Sequence, residues 1–60
     1  MRKLEPLILA DLATNGPSTP LDIAKRLGVS KTSEVWRHVV RLARSGEITF
    51  DDTGRIARLA

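Results

Sequence analysis

Residues 20–46 constrain this chain more than any other stretch. They read Pro-Leu-Asp-Ile-Ala-Lys-Arg-Leu-Gly, then Val29-Ser30, then a longer run from Lys31 that ends at Ser45-Gly46. Ile23, Ala24 and Leu27 fall on one side at helical spacing, while Lys25 and Arg26 face out. Gly28 ends this short helix, because glycine readily adopts the left-handed backbone that closes one. Ser30 is the expected N-cap of the next helix. In that helix Val35, Val39 and Leu42 recur at i, i+4 and i+7, a core-facing stripe. Ser33, Arg37, Val40 and Arg44 lie on the opposite side, Arg41 is also on the polar side, and Lys31 and Thr32 stand at the leading end. Two helices joined by so short a turn form a helix-turn-helix unit, and here the second helix is the basic one.

The flanking segments supply the rest of the core. A first helix is expected over about residues 4–14, with Pro6 tolerated in its first turn. Leu4, Leu7, Ile8 and Leu12 should share its inner side, with Leu9 widening the apolar arc. Asn15-Gly16 stops it. Two prolines in residues 16–20 then exclude a helix, and Ser18 or Thr19 can lend a very short strand. Thr19 is the expected N-cap of the second helix, with Pro20 at its first position and Asp22 at its third. After Gly46, Ile48 and Phe50 alternate with polar neighbours. An Asp51-Asp52-Thr53-Gly54 turn cluster follows, then Ile56 and Leu59, which together form a β-hairpin signal.

Sixty residues make one domain with little surface to bury. The chain has no cysteine, so neither a disulfide nor a thiolate metal site can brace it, and its single histidine, His38, cannot build a metal site alone. No metal or cofactor is expected. Stability must come from packed aliphatics, with dimerisation as a further source. Leu4, Leu7, Ile8, Leu9 and Leu12 spread over more of helix one than a single stripe needs, and so predict a homodimer through that helix.

Charge is distributed unevenly. Residues 25–44 hold six basic side chains against one acid, Glu34; the other forty hold four basic and six acidic ones. Positive charge gathered on one element is the footprint of a face that binds a polyanion. The start of the chain, Met1-Arg2-Lys3-Leu4, is basic then apolar, yet Glu5, Pro6 and Asp11 interrupt it and no signal-peptide pattern follows. A cytoplasmic, nucleoid-associated location is therefore expected.

Three helices followed by a hairpin, with Leu21-Asp22-Ile23-Ala24-Lys25-Arg26-Leu27-Gly28-Val29-Ser30 and Val35-Trp36-Arg37-His38-Val39-Val40-Arg41-Leu42-Ala43-Arg44-Ser45-Gly46-Glu47-Ile48, resemble the winged helix-turn-helix domains of many bacterial and archaeal transcription regulators. The resemblance covers nearly the whole chain. It implies a mainly α fold with a small β-hairpin over residues 1–60, with helix one at about 4–14, helix two at about 20–27, a recognition helix at about 31–45 and a two- to three-stranded wing at about 47–60. It implies duplex DNA as partner, with Lys31, Thr32, Ser33, Arg37, Val40, Arg41, Arg44 and Arg55 near it. Arg37 and Arg44 can reach base edges or phosphates, and Thr32 and Ser33 suit phosphates at the helix N-terminus.

Helix three is also similar in spacing to the winged helices that bind left-handed DNA. Those carry an Asn and a Tyr where this chain has Trp36 and Val40, and wing prolines that are missing here; left-handed DNA is therefore not the expected ligand. The small winged-helix proteins of bacterial ferrous-iron transport carry wing cysteines, which this chain lacks. The Asp-Asp wing tip is expected to add little affinity, with only Arg55 and Arg58 to offset it. Trp36 is expected to fill the seam between helix three and the wing, and His38 to be a boundary residue without chemistry. Set against DNA binding is a protein-interaction module that uses Trp36, Val40 and the apolar surface of helix one. An enzyme is not expected: there is no phosphate-binding glycine loop and no recognisable nucleophile–base pair.

Overall fold

A computed structural model describes residues 4–59 of the chain. Met1, Arg2, Lys3 and Ala60, including the basic start, lie outside the described residues. Three helices, α1 (Leu4–Asn15), α2 (Pro20–Leu27) and α3 (Thr32–Arg44), precede two strands, β1 (Ile48–Phe50) and β2 (Ile56–Arg58). The strands pair antiparallel, with Ile48 opposite Arg58, Thr49 opposite Ala57 and Phe50 opposite Ile56. Ser18 adds a one-residue bridge on the far side of β2. Its N–H donates to the Ile56 carbonyl at 3.0 Å, and the Ile56 N–H donates back at 2.8 Å. The connector between α1 and α2 is thereby tied to the wing.

Local chemistry explains most of the boundaries. Thr19 is the α2 N-cap: its Oγ1 accepts from the Asp22 N–H at 3.2 Å, with Pro20 at the first helical position. Gly28 closes α2 in left-handed backbone, φ 72°, and the Val29 N–H then donates to the Ala24 carbonyl at 2.9 Å. Gly46, φ 78°, turns the chain out of α3, and the Glu47 N–H donates to the Leu42 carbonyl at 3.0 Å. The expected Ser30 cap is not used. Lys31 occupies the α3 N-cap without a side-chain hydrogen bond, so the helix begins one residue later than Ser30 capping would require.

The core is wholly aliphatic. Ile8, Leu12, Ile23, Ala24, Val35, Val39, Leu42, Ile48 and Ile56 are buried together, with Leu4, Leu9, Leu27, Val29 and Ala43 packed at its margin. The inner face of α1 differs from the expected one. Leu7 is 37% exposed, while Ile8, Asp11 and Leu12 are buried. The face is rotated because α1 packs on α2, α3 and β2 at once, which draws in Leu9 on one flank and Asp11 on the other. This also changes the homodimer expectation. Ile8 and Leu12 belong to the core, Leu4 and Leu9 pack against it, and Leu7 alone of the five remains an exposed apolar side chain.

Arg26 is exposed as expected, but its guanidinium reaches back to the buried Asp11, a pairing that helical spacing alone does not reveal. The Arg26 Nε donates to Oδ1 at 2.9 Å, and its Nη2 to Oδ2 at 2.8 Å and to the Ser18 hydroxyl. Asn15 Nδ2 donates to Oδ1 at 3.0 Å. Hydrogen bonding to Asp11 raises the Arg26 pKa further above its already high value. The two side chains differ in access to water: 35% exposed for Arg26, 6% for Asp11. Removing the partner of the more buried charge is the more damaging change, because that charge then has no route to solvent. Arg26→Met should therefore lower the melting temperature more than Asp11→Asn. Equal losses, or the reverse order, would show that the network does not hold α1 to α2 in this way.

Candidate nucleic-acid interface

With Val35, Val39 and Leu42 turned to the core, helical geometry places Ser33, Arg37 and Arg44 at the centre of the outward side of α3. Lys31, Ser33, Arg37 and Arg44 are exposed, and Thr32 and Val40 half-buried. Arg37 and Arg44 stand two turns apart, about 10 Å along the axis. Among the described residues neither has an ion pair, and neither has Lys31. The side-chain cap missing at Lys31 leaves the first N–H groups of α3, beside Thr32 and Ser33, without an internal side-chain acceptor.

The remaining basic side chains of the 25–44 stretch divide. Lys25 is exposed; Arg26 is engaged by Asp11. Arg41 leans toward α1, its Nε 3.6 Å from Glu5 Oε2, though its side chain stays 75% exposed. His38 Nδ1 meets the same Glu5 oxygen at 3.1 Å, so His38 helps to join α3 to α1. Such half-exposed contacts are individually weak. Thus Ser33, Arg37, Val40 and Arg44 lie on the outward side of α3, Lys31 and half-buried Thr32 stand at its leading end, Arg41 is on the α1 edge, and Arg55 follows the wing turn, outside α3.

Two features of the wing were not legible from pattern alone. Trp36 does not fill the seam completely. Its ring meets Phe50 of β1 at a centroid distance of 5.8 Å, tilted 47°, and both stay substantially exposed, 46% and 43%. Strand alternation put Phe50 on the same side as Ile48; it pairs opposite the buried Ile56, yet its ring meets Trp36 and stays exposed.

Asp51 is the second feature. Its Oδ1 accepts from the Thr53 N–H at 2.9 Å, the Thr53 hydroxyl at 2.7 Å and the Arg55 N–H at 2.8 Å. The carboxylate therefore organises the wing turn. The Asp-x-Thr spacing was the available signal for it. These bonds, the Thr53 hydroxyl first and the Arg55 N–H next, together with the Arg55 charge, hold the Asp51 pKa below its ordinary value near 3.8. A carboxylate with a depressed folded-state pKa contributes order above its unfolded pKa, and that order is lost as pH falls through the folded value. On acidification the Thr53 and Arg55 amide resonances should shift with a midpoint below the ordinary aspartate value, and Asp51→Asn should abolish that step. A midpoint at or above the ordinary value would contradict the role. Asp52, also exposed, is the better site for testing wing charge alone.

Among the described residues no three metal-ligating side chains stand together, and no helix is long and apolar enough to cross a membrane. Three helices closed by an antiparallel hairpin, with α2 and α3 joined through Gly28, make the chain a winged helix-turn-helix domain. It is similar to the solved solution structure of the Zbeta domain of human DAI, described with that domain's binding modes to B- and Z-DNA. The two share 26% sequence identity at a TM-score of 0.81, over 97% of this chain and 84% of that one. Protein-family models and curated proteins give no match.

Proposed function

We propose that this chain is a DNA-binding domain that lays α3 in the major groove of a duplex. One observation carries the proposal: Arg37 and Arg44 project from the outward side of the second helix of a helix-turn-helix pair and Lys31 stands at its N-cap, all three exposed and without ion pairs among the described residues. Cations left without internal partners on an element of major-groove dimensions suit phosphates and guanine edges. The DNA-binding modes described for the Zbeta domain support the same class of partner. Trp36, Val40 and a proline-free wing favour right-handed DNA over left-handed DNA for this chain. The corresponding biological work is that of a small transcription regulator on the nucleoid, without catalysis.

Salt dependence tests the proposal. Arg37→Ala and Arg44→Ala should each weaken binding to several unrelated duplexes by similar factors. Each should also lower the slope of log affinity against log salt by about one. Affinity indifferent to salt, and to both substitutions, would remove α3 from a DNA interface and favour an apolar protein contact through Trp36 and Val40 instead.

A further inference from the structure

Both aromatic side chains of the chain, Trp36 and Phe50, lie on the surface and touch each other. The core contains none. An aromatic ring is the largest apolar surface a small domain can bury, yet here one comes from the recognition helix and one from the wing, and both are left nearly half open. Helical geometry puts Trp36 and Val40 on the wing-side flank of the outward side of α3, next to Arg37 and Arg44. Of the acids near it in sequence, Glu34 lies toward the α1 edge of α3 and the Asp51 carboxylate is held by Thr53 and Arg55, while Glu47 and Asp52 are exposed on either side of Phe50 along the chain. The result is a tilted aromatic pair beside Arg37 and Arg44, which make no ion pair among the described residues.

We infer that the Trp36–Phe50 pair is a stacking platform for unpaired bases, so that the DNA taken by this domain carries a bulge, gap or single-stranded segment next to duplex. This rests on the DNA-binding proposal and narrows its substrate. An intact duplex presents base edges and phosphates to α3; the faces of its bases are covered by their neighbours. Only an unpaired or extruded base offers the π-face that an exposed indole and phenyl can cover, while arginines hold the adjoining phosphates. A partner protein matching the same surface would have to place apolar side chains on the rings and acids opposite Arg37 and Arg44. Unpaired DNA supplies both chemistries in each nucleotide.

Trp36 is the only tryptophan and the chain has no tyrosine, so its fluorescence reads the platform directly. The protein is titrated with a mixed-sequence 15-mer duplex, the same duplex bearing a three-thymine bulge, the free single strand, and the RNA counterpart of that strand. The bulged duplex should bind about tenfold or more tightly than the intact one, and should quench Trp36 strongly where the intact duplex does not. Trp36→Leu and Phe50→Leu, each checked for native circular dichroism, should bring the ratio of the two affinities toward one. Arg37→Ala should weaken all three DNAs alike. Equal wild-type affinities with unquenched Trp36 would overturn the platform and leave duplex binding standing. No binding to any of the DNAs would overturn both proposals and give the aromatic pair to a protein partner. Tighter binding of the corresponding RNA strand than of DNA would overturn the assignment to DNA.

Discussion

Replacing Ile23 by Ala should leave the domain largely unfolded at or modestly above room temperature. Ile23 is fully buried on α2 within the single aliphatic core. Removing three carbons from such a site costs about 2–5 kcal/mol, the transfer term plus the cavity left behind. A domain of this size has only about 3–9 kcal/mol in total, and no disulfide supplements it. At roughly 4–8 °C per kcal/mol, the melting temperature should fall by roughly 10–30 °C. Leu21→Ala is the matched control on the same helix. Leu21 is 52% exposed, so its truncation should change stability by no more than about 0.5 kcal/mol. Thermal melts of the two variants check the contrast. Similar losses for both would mean that the core is not where the structure places it.

Reversing charge at Arg37 and Arg44 together should abolish useful DNA affinity while leaving the fold intact. Both side chains are exposed and without ion pairs among the described residues, so Arg37→Glu with Arg44→Glu removes no internal contact. Against DNA it deletes two favourable contacts and adds two repulsions. With a good arginine contact worth about 1–3 kcal/mol, affinity should drop roughly a hundredfold or more in 0.1 M salt, and less in higher salt as screening shortens the reach of both effects. Fluorescence anisotropy with a labelled duplex measures the loss, and circular dichroism confirms that the helices persist. A double variant that is folded and still binds at near wild-type affinity would contradict the role of α3.

The fold was legible where local rules and the global packing agreed. Thr19-Pro20 with Asp22 announced the start of α2, Gly28 its end, and the Val35, Val39, Leu42 stripe the inner face of α3. Departures arose where tertiary contacts overrode local preference. Ser30 has the right chemistry for a cap, but the chain enters α3 with Lys31 at the cap position. Leu7 has the right hydropathy for the core, but α1 packs on three elements and its inner face is set by their sum. Arg26 looked like surface charge because its partner, Asp11, is fifteen residues away and on another helix.

The cationic surface was legible for a related reason: Arg37 and Arg44 follow from helical phase, and Lys31 from its place at the leading end of the helix. Which arginines are engaged internally was not, because Glu5 approaches Arg41, and Asp11 approaches Arg26, only in three dimensions. Phe50 was invisible as a surface residue because strand alternation predicts only which side a residue takes, not how far its neighbours cover it; its contact is with the half-exposed Trp36 of another element.

Amide chemical-shift mapping on the isotope-labelled chain, titrated with an unlabelled duplex, tests the central claim most directly. The claim is that DNA is held by the outward side of α3. The largest shifts should fall at the start of α3 and around Arg37 and Arg44, and should fade as salt is raised. The exposed side of α1 around Leu7 should stay unmoved. Shifts concentrated on α1, or none at DNA concentrations well above that of the protein, would contradict it.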